Sequence, residues 1–179
     1  MSKTKAKATA DVFPMGFWNY SLTDKLPPAC VNDWADAGMT LTMTPEFDPK
    51  RHKVKDLRTI LDGAHKRGIR MIVCDARSTW PALAAGEAAY REGFQQALKD
   101  FGSHPAVFGF HVGDEPGVAE FGNACLAFRI QKEMAPTLSP FLNLLPWYEG
   151  VETRVGFGRW SHYLDAYVSR AKPELLCYD

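Results

Sequence analysis

The sequence predicts an α/β protein, a parallel (β/α)8 barrel present as an incomplete barrel of about six βα units. Three observations carry this. Short apolar runs alternate with amphipathic stretches along the whole chain. The second to sixth runs begin near Met39, Ile69, Val107, Phe141 and Leu175, a spacing of about 30 to 38 residues, the size of one βα unit. Polar or aromatic residues gather after nearly every run, which is where a barrel presents its functional groups. An open doubly wound sheet would instead show a glycine-rich phosphate loop after an early strand. Here the first strand leads into Asn19-Tyr20-Ser21-Leu22.

In order, Phe13 to Tyr20 is aromatic and apolar and reads as the first strand. Pro27 to Ala37 reads as a short helix, with prolines at its start and Gly38 as its stop. Met39 to Thr44 is a threonine-rich second strand. Val54 to Arg67 places Val54, Leu57, Ile60, Leu61 and Ala64 at helical spacing, with Gly68 as the C-cap. Ile69 to Cys74 is the third strand, Ala84 to Phe101 a long amphipathic helix, and Val107 to Val112 the fourth strand. A helix over Ala119 to Met134 ends at Pro136. Phe141 to Leu145 is the fifth strand, Phe157 to Ala171 a helix, and Leu175 to Tyr178 the sixth strand. Residues 1–11 read as a disordered tail and 12–179 as one partial barrel domain.

The 179 residues suffice for one domain with a real core but fall short of the roughly 250 typical of a complete barrel. Six strands of eight leave two edges unpaired, so the expected partner is a further C-terminal barrel segment. Hydrophobic content is 46% and charged content 23%, as in ordinary globular domains. Lys plus Arg equals Asp plus Glu, giving zero net charge, and nothing asks for nucleic acid or an anionic membrane. No apolar stretch reaches membrane length. The lysines near the N-terminus are not followed by a signal-peptide core, and the compartment stays open. Cys30, Cys74, Cys125 and Cys177 form no Cys-x-x-Cys pair. Cys74 and Cys177 lie in strand-like runs and are expected as small buried hydrophobes. His52, His65, His104 and His162 are scattered. No metal and no cofactor is expected.

The fourth strand carries the chemistry. Side chains alternate faces along a strand. Phe108, Phe110 and Val112 would then pack under the outer helices. Gly109, His111, Gly113 and Glu115 would face the barrel axis, with Glu115 at the mouth and Pro116 ending the strand. Taken alone, Asp114-Glu115-Pro116 is also what a polar turn looks like.

The stretch Phe-Gly-Phe-His-Val-Gly-Asp-Glu-Pro, residues 108 to 116, preceded by His104-Pro105-Ala106-Val107, resembles the fourth-strand motif of clan A glycoside hydrolases. Those enzymes are TIM barrels that cleave β-linked sugars with retention. The resemblance spans residues 13 to 179 as a pattern of units and is specific only at this strand. It implies a carbohydrate substrate and Glu115 as acid/base. Asp114 stands where the family usually has an asparagine bonded to the sugar 2-hydroxyl. Retention needs two carboxylates about 5 to 5.5 Å apart. The family's nucleophile is a glutamate on the seventh strand, so this chain on its own is expected not to hydrolyse glycosides.

Weaker candidates for substrate contact end the other strands. Trp18 and Asn19, with Tyr20, would form a stacking surface, although Trp18 equally suits the barrel core. Glu46, with Asp48, follows the second strand. Asp75 and Arg77 follow the third, where they suit either a structural bridge or sugar contact. His111 lies on the inward face, as a core histidine or a substrate contact. Trp80, Trp147 and Tyr148 are candidate cleft aromatics, and Tyr178 and Asp179 end the sixth strand. Two other classes stay open. One is a metal-dependent sugar-processing barrel using Glu46, Asp75, His111, Glu115 and Asp179. The other is a non-catalytic carbohydrate-binding scaffold.

Overall fold

The computed structural model describes residues 13–178. The expected N-terminal tail and Asp179 lie outside the described residues. Five parallel strands form one curled sheet in chain order: β1 (Leu41–Met43), β2 (Arg70–Val73), β3 (Val107–Asp114), β4 (Phe141–Leu144) and β5 (Cys177–Tyr178). Each strand returns through helical structure: α2 (Val54–Lys66) after β1, α3 (Glu87–Ala97) after β2, α4 (Phe121–Met134) after β3, and α5 (Val151–Val155) with α6 (Trp160–Ala171) after β4. A short α1 (Cys30–Asp36) precedes β1. This is an incomplete α/β barrel. Among the described residues no helix is long and apolar enough to cross a membrane.

Two apolar layers sandwich the sheet. The outer one lies between strands and helices. Leu57, Ile60, Leu61 and Ala64 of α2, Tyr90 and Phe94 of α3, Phe128 of α4 and Tyr167 of α6 are all buried there against Val73, Phe110, Val112 and Leu144. Full burial of one such aliphatic side chain stabilises by about 1.5–3 kcal/mol, so the helical stripes orient every crossover. The inner layer is smaller: Met43, Ile72 and Cys74, packed by Trp18, Leu41, Phe108 and Phe141.

Three expectations are corrected. First, Phe13 to Tyr20 runs beside β1 but joins no strand ladder. The Thr40 hydroxyl accepts from the Met15 N–H at 2.8 Å, and the Thr42 hydroxyl accepts from the Phe17 N–H at 3.2 Å. The Met15 carbonyl also accepts from the Thr40 and Leu41 N–H groups at 2.8 and 3.0 Å, so pairing is shared between main chain and threonine side chains, and Gly16 lies so close to Leu41 that a Cβ would collide with its carbonyl. Second, the helix expected over 84–101 is a 3₁₀ segment (Trp80–Ala85), then α3 after Gly86, then a π-helical turn (Leu98–Gly102). Third, Phe108 faces the inner layer, not the helices. The β3 register slips twice. Met71 pairs with Val107 and Ile72 with Gly109, skipping Phe108. His111 pairs with Phe141 and Gly113 with Leu142, skipping Val112. Each slip is a bulge, which shifts the side-chain alternation by one residue.

Candidate active site at the C-terminal ends of the strands

The second bulge sets the geometry of the Asp114–Glu115 pair. Asp114 is in register with Asn143 on β4. The flanking Leu142 and Leu144 point to the helices, which leaves Asn143 on the inner face. Asp114 therefore takes the inward position that strict alternation reserved for Glu115. The Asn143 amide donates to Asp114 Oδ1 at 3.1 Å. The Glu115 N–H donates to the Asn143 carbonyl at 2.9 Å. Glu115 has φ +45°, which is uncommon for a residue with a Cβ. Its carboxylate lies 3.6 Å from Arg154 of α5 and is 29% exposed. The carbonyl of Pro116 accepts from the Tyr163 hydroxyl at 3.3 Å. Burial, the largest cause, pushes that phenol upward. Gly113, at φ +148°, lies against the ring of Trp80, and a Cβ there would overlap it. Trp80 thus packs with the outer core and supports the turn from below.

The inner face beneath the mouth is aromatic. His111 meets Trp18 edge to face at 5.3 Å and Phe141 at 6.3 Å. Burial holds its imidazole down at about 4, so it is neutral near pH 7. Its Nε2 is buried without a hydrogen-bond partner. Trp18 is half-buried on this floor and also touches Tyr20 at 6.3 Å. Asn19 is buried; its Oδ1 accepts from the Ser21 N–H at 3.0 Å, while its Nδ2 has no partner.

A cleft of about 350 Å³ opens beside His111, lined also by Glu46, Asp48, Arg51, His52 and Asp75. Glu46 is exposed at its rim, and its carbonyl holds the Thr23 N–H at 3.0 Å and the Thr23 hydroxyl at 2.7 Å. Asp75 is fully buried and gripped by Arg77, whose Nε and Nη2 donate to it at 3.0 and 2.7 Å. Arg77 then reaches Asp100 at 2.8 Å. The bridge is the arrangement this pair adopts. Burial, the largest cause, raises the Asp75 carboxyl above its ordinary value despite Arg77. Tyr178 is half-exposed against Trp160 at 5.2 Å. Trp147 is exposed.

Two residues of the mouth escaped sequence reasoning. Asn143 is third in the four-residue β4 and carries no motif; only its polarity amid Phe-Leu and Leu-Leu marks it. Cys177, expected as a buried hydrophobe, is half-buried and donates its thiol to Asn143 Oδ1 at 3.2 Å. Among the described residues, no three His, Cys, Asp or Glu side chains gather as metal ligands.

Neither a protein-family model nor a curated protein sequence matches the chain. Solved structures do. A β-galactosidase from the psychrophilic Marinomonas ef1 is similar with TM-score 0.63 at 11% identity, over 93% of this chain and 40% of that one. A cold-adapted β-galactosidase from Rahnella sp. R3 gives 0.60 at 12% identity, over 96% and 40%. A family 2 AP endonuclease from Brucella melitensis gives 0.52 at 13% identity, over 93% and 68%. A glycosyl hydrolase family 2 member from Bacteroides cellulosilyticus gives 0.54, with this chain spanning 18% of its length. The chain thus spans under half the length of these glycoside hydrolases. At such identities the likeness is one of fold alone, that of an α/β barrel.

Proposed function

We propose that this chain forms the acid/base half of a retaining glycosidase site acting on β-linked carbohydrate. The observation that carries the reading is the Asp114–Glu115 pair, set by a bulge at the C-terminal end of β3 above a floor of Trp18, His111 and Phe141. Glu115 is assigned as acid/base and Asp114 as a contact to the sugar ring hydroxyls. Trp18, Asn19, Glu46, His111, Tyr178 and Asp179 are assigned to substrate binding. Asp75 and Arg77 serve by holding the cleft wall.

Retention requires a second carboxylate about 5 to 5.5 Å from the first. We place it in further βα units that close the barrel between residues 13–20 and β5. An apolar cavity of about 420 Å³ lies there, lined by Pro14, Phe17 and Trp18 on one side and by Leu175 and Leu176 on the other. Inward-facing apolar side chains of added strands suit it.

A second reading has one observation behind it: the bulge turns Asp114, not Glu115, inward. In that case Asp114 protonates the leaving group and Glu115 positions it.

The test is titration of the chain with lactose and cellobiose, followed by NMR of its backbone amides. The reading expects shifts confined to residues around Trp18, His111 and Asp114, no turnover of aryl β-glycosides, and loss of binding in Asp114→Ala or Glu115→Ala. Shifts elsewhere, or none with either sugar, overturn it. Turnover by the chain alone would overturn the placement of the second carboxylate.

A further inference from the structure

We propose that Asn143 is the positioning residue of the mouth: with its amide oriented by Cys177, it turns Asp114 inward and anchors the turn that carries Glu115. The functional meaning rests on the glycosidase reading above; the positioning itself does not.

Asn143 is 2% exposed. A buried amide costs free energy unless its groups are paired, and asparagine is disfavoured in strands. Its neighbours Leu142 and Leu144 show what packing alone would choose. What Asn143 gains is bonding to both neighbouring strand ends, those of β3 and β5. The Cys177 thiol donates to Oδ1 at 3.2 Å. Nδ2 donates to Asp114 Oδ1 at 3.1 Å. The main-chain carbonyl accepts from Glu115 N–H at 2.9 Å.

The partners dictate the amide orientation. An ionised carboxylate only accepts, so it requires the NH₂ end, and a thiol donates best to the oxygen end. Flipping the amide would set oxygen against carboxylate and leave the thiol proton facing NH₂. Cys177 on β5 thus biases a side chain on β4 that orients a carboxylate on β3. This chain crosses three adjacent strand ends at the register positions Asp114↔Asn143 and Asn143↔Cys177.

The experiment reads the Asn143 side-chain NH₂ signals in ¹⁵N-labelled chain, assigned by their absence in Asn143→Leu. Asp114→Asn and Cys177→Ala are both expected to move these signals. Cys177→Ser, which keeps a donor, is expected to restore them. If Asn143→Leu fails to fold, Asn143→Gln supplies the assignment, and the Cys177 pair still decides. Lactose or cellobiose affinity is expected to fall about tenfold in Asn143→Leu, the loss of one hydrogen bond to a charged group, and to recover in Cys177→Ser relative to Cys177→Ala. Asn143 signals indifferent to Asp114→Asn, or equally displaced by both Cys177 variants, overturn the proposal. Signals that behave as expected in a chain that binds neither sugar support the positioning role and overturn the glycosidase reading.

Discussion

The ends of β2 and β3 are neighbours in the sheet and both carry carboxylates, yet they use them in opposite ways. Asp75 after β2 is fully buried and takes two side-chain hydrogen bonds from Arg77, which continues to Asp100. Asp114 and Glu115 after β3 sit at the surface of the mouth, held by an amide and an exposed arginine. The difference lies in the local backbone. After β2 the chain turns so that the main-chain N–H of Arg77 also reaches Asp75 Oδ1 at 2.9 Å. Within β3 a bulge turns its last residue, Asp114, to the inner face, and the positive φ of Glu115 carries that residue out of the strand. Whether a carboxylate at a strand end is enclosed or open to solvent is therefore set by the turn that follows it.

The largest way to break the comparison is Arg77→Met. It strands the buried Asp75 charge and is expected to cost about 3–5 kcal/mol in urea unfolding. The double variant Asp75→Asn/Arg77→Met should recover a substantial part, since the uncompensated charge is gone. A loss under about 1 kcal/mol would show that Asp75 is no more structural than Asp114. Next in size is Gly113→Ala. It adds backbone strain and forces the Trp80 ring away, an expected cost of about 2–3 kcal/mol, with a shift in tryptophan emission. An unchanged emission spectrum would deny that Trp80 supports the turn.

The regular repeat was legible because it rests on periodicity. The α2 stripe at Leu57, Ile60, Leu61 and Ala64 is buried as its spacing requires. The mouth was legible only in part. That acids follow β3 could be read from Asp114-Glu115-Pro116. Their directions could not, because a bulge is a register property shared by two strands, and the slips at Phe108 and Val112 appear only against β2 and β4. The first strand was misread for a related reason. Threonines 40 and 42 favour strand structure, but their hydroxyls share the pairing with the segment before them, where only the Met15 carbonyl meets main-chain N–H groups of residues 40 and 41. Asn143 was invisible because its importance comes entirely from segments distant in sequence.

His111 lies between the two strand ends, and its titration sharpens the contrast. Folding holds its imidazole at about 4 against an ordinary 6.5. Between those values the unfolded chain binds more protons than the folded one, so stability falls as pH drops through this window. The full penalty approaches about 3 kcal/mol. His111→Phe should flatten that part of the pH–stability curve while conserving the contacts to Trp18 and Phe141. An unchanged slope would mean that the imidazole is hydrated when folded.

The smallest expected effects on stability are at the residues assigned to chemistry. In Asp114→Asn a carbonyl oxygen still accepts from Asn143, so the bond loses strength without leaving a buried group unpaired. In Glu115→Gln the partner Arg154 is 55% exposed, and water with salt replaces most of what the pair contributed. Each substitution should cost under about 1 kcal/mol, measured by the same urea titration as Arg77→Met. Binding is expected to reverse the order, with lactose or cellobiose affinity lost in Asp114→Ala and Glu115→Ala, since these carboxylates lie where a ligand can reach them and Asp75 does not. If either variant unfolds the protein as readily as Arg77→Met, the β3 end is a second structural clasp, and the mouth loses its claim to chemistry. If both leave stability intact and the alanine variants abolish binding, the two strand ends divide the work: one holds the wall, and the other meets the sugar.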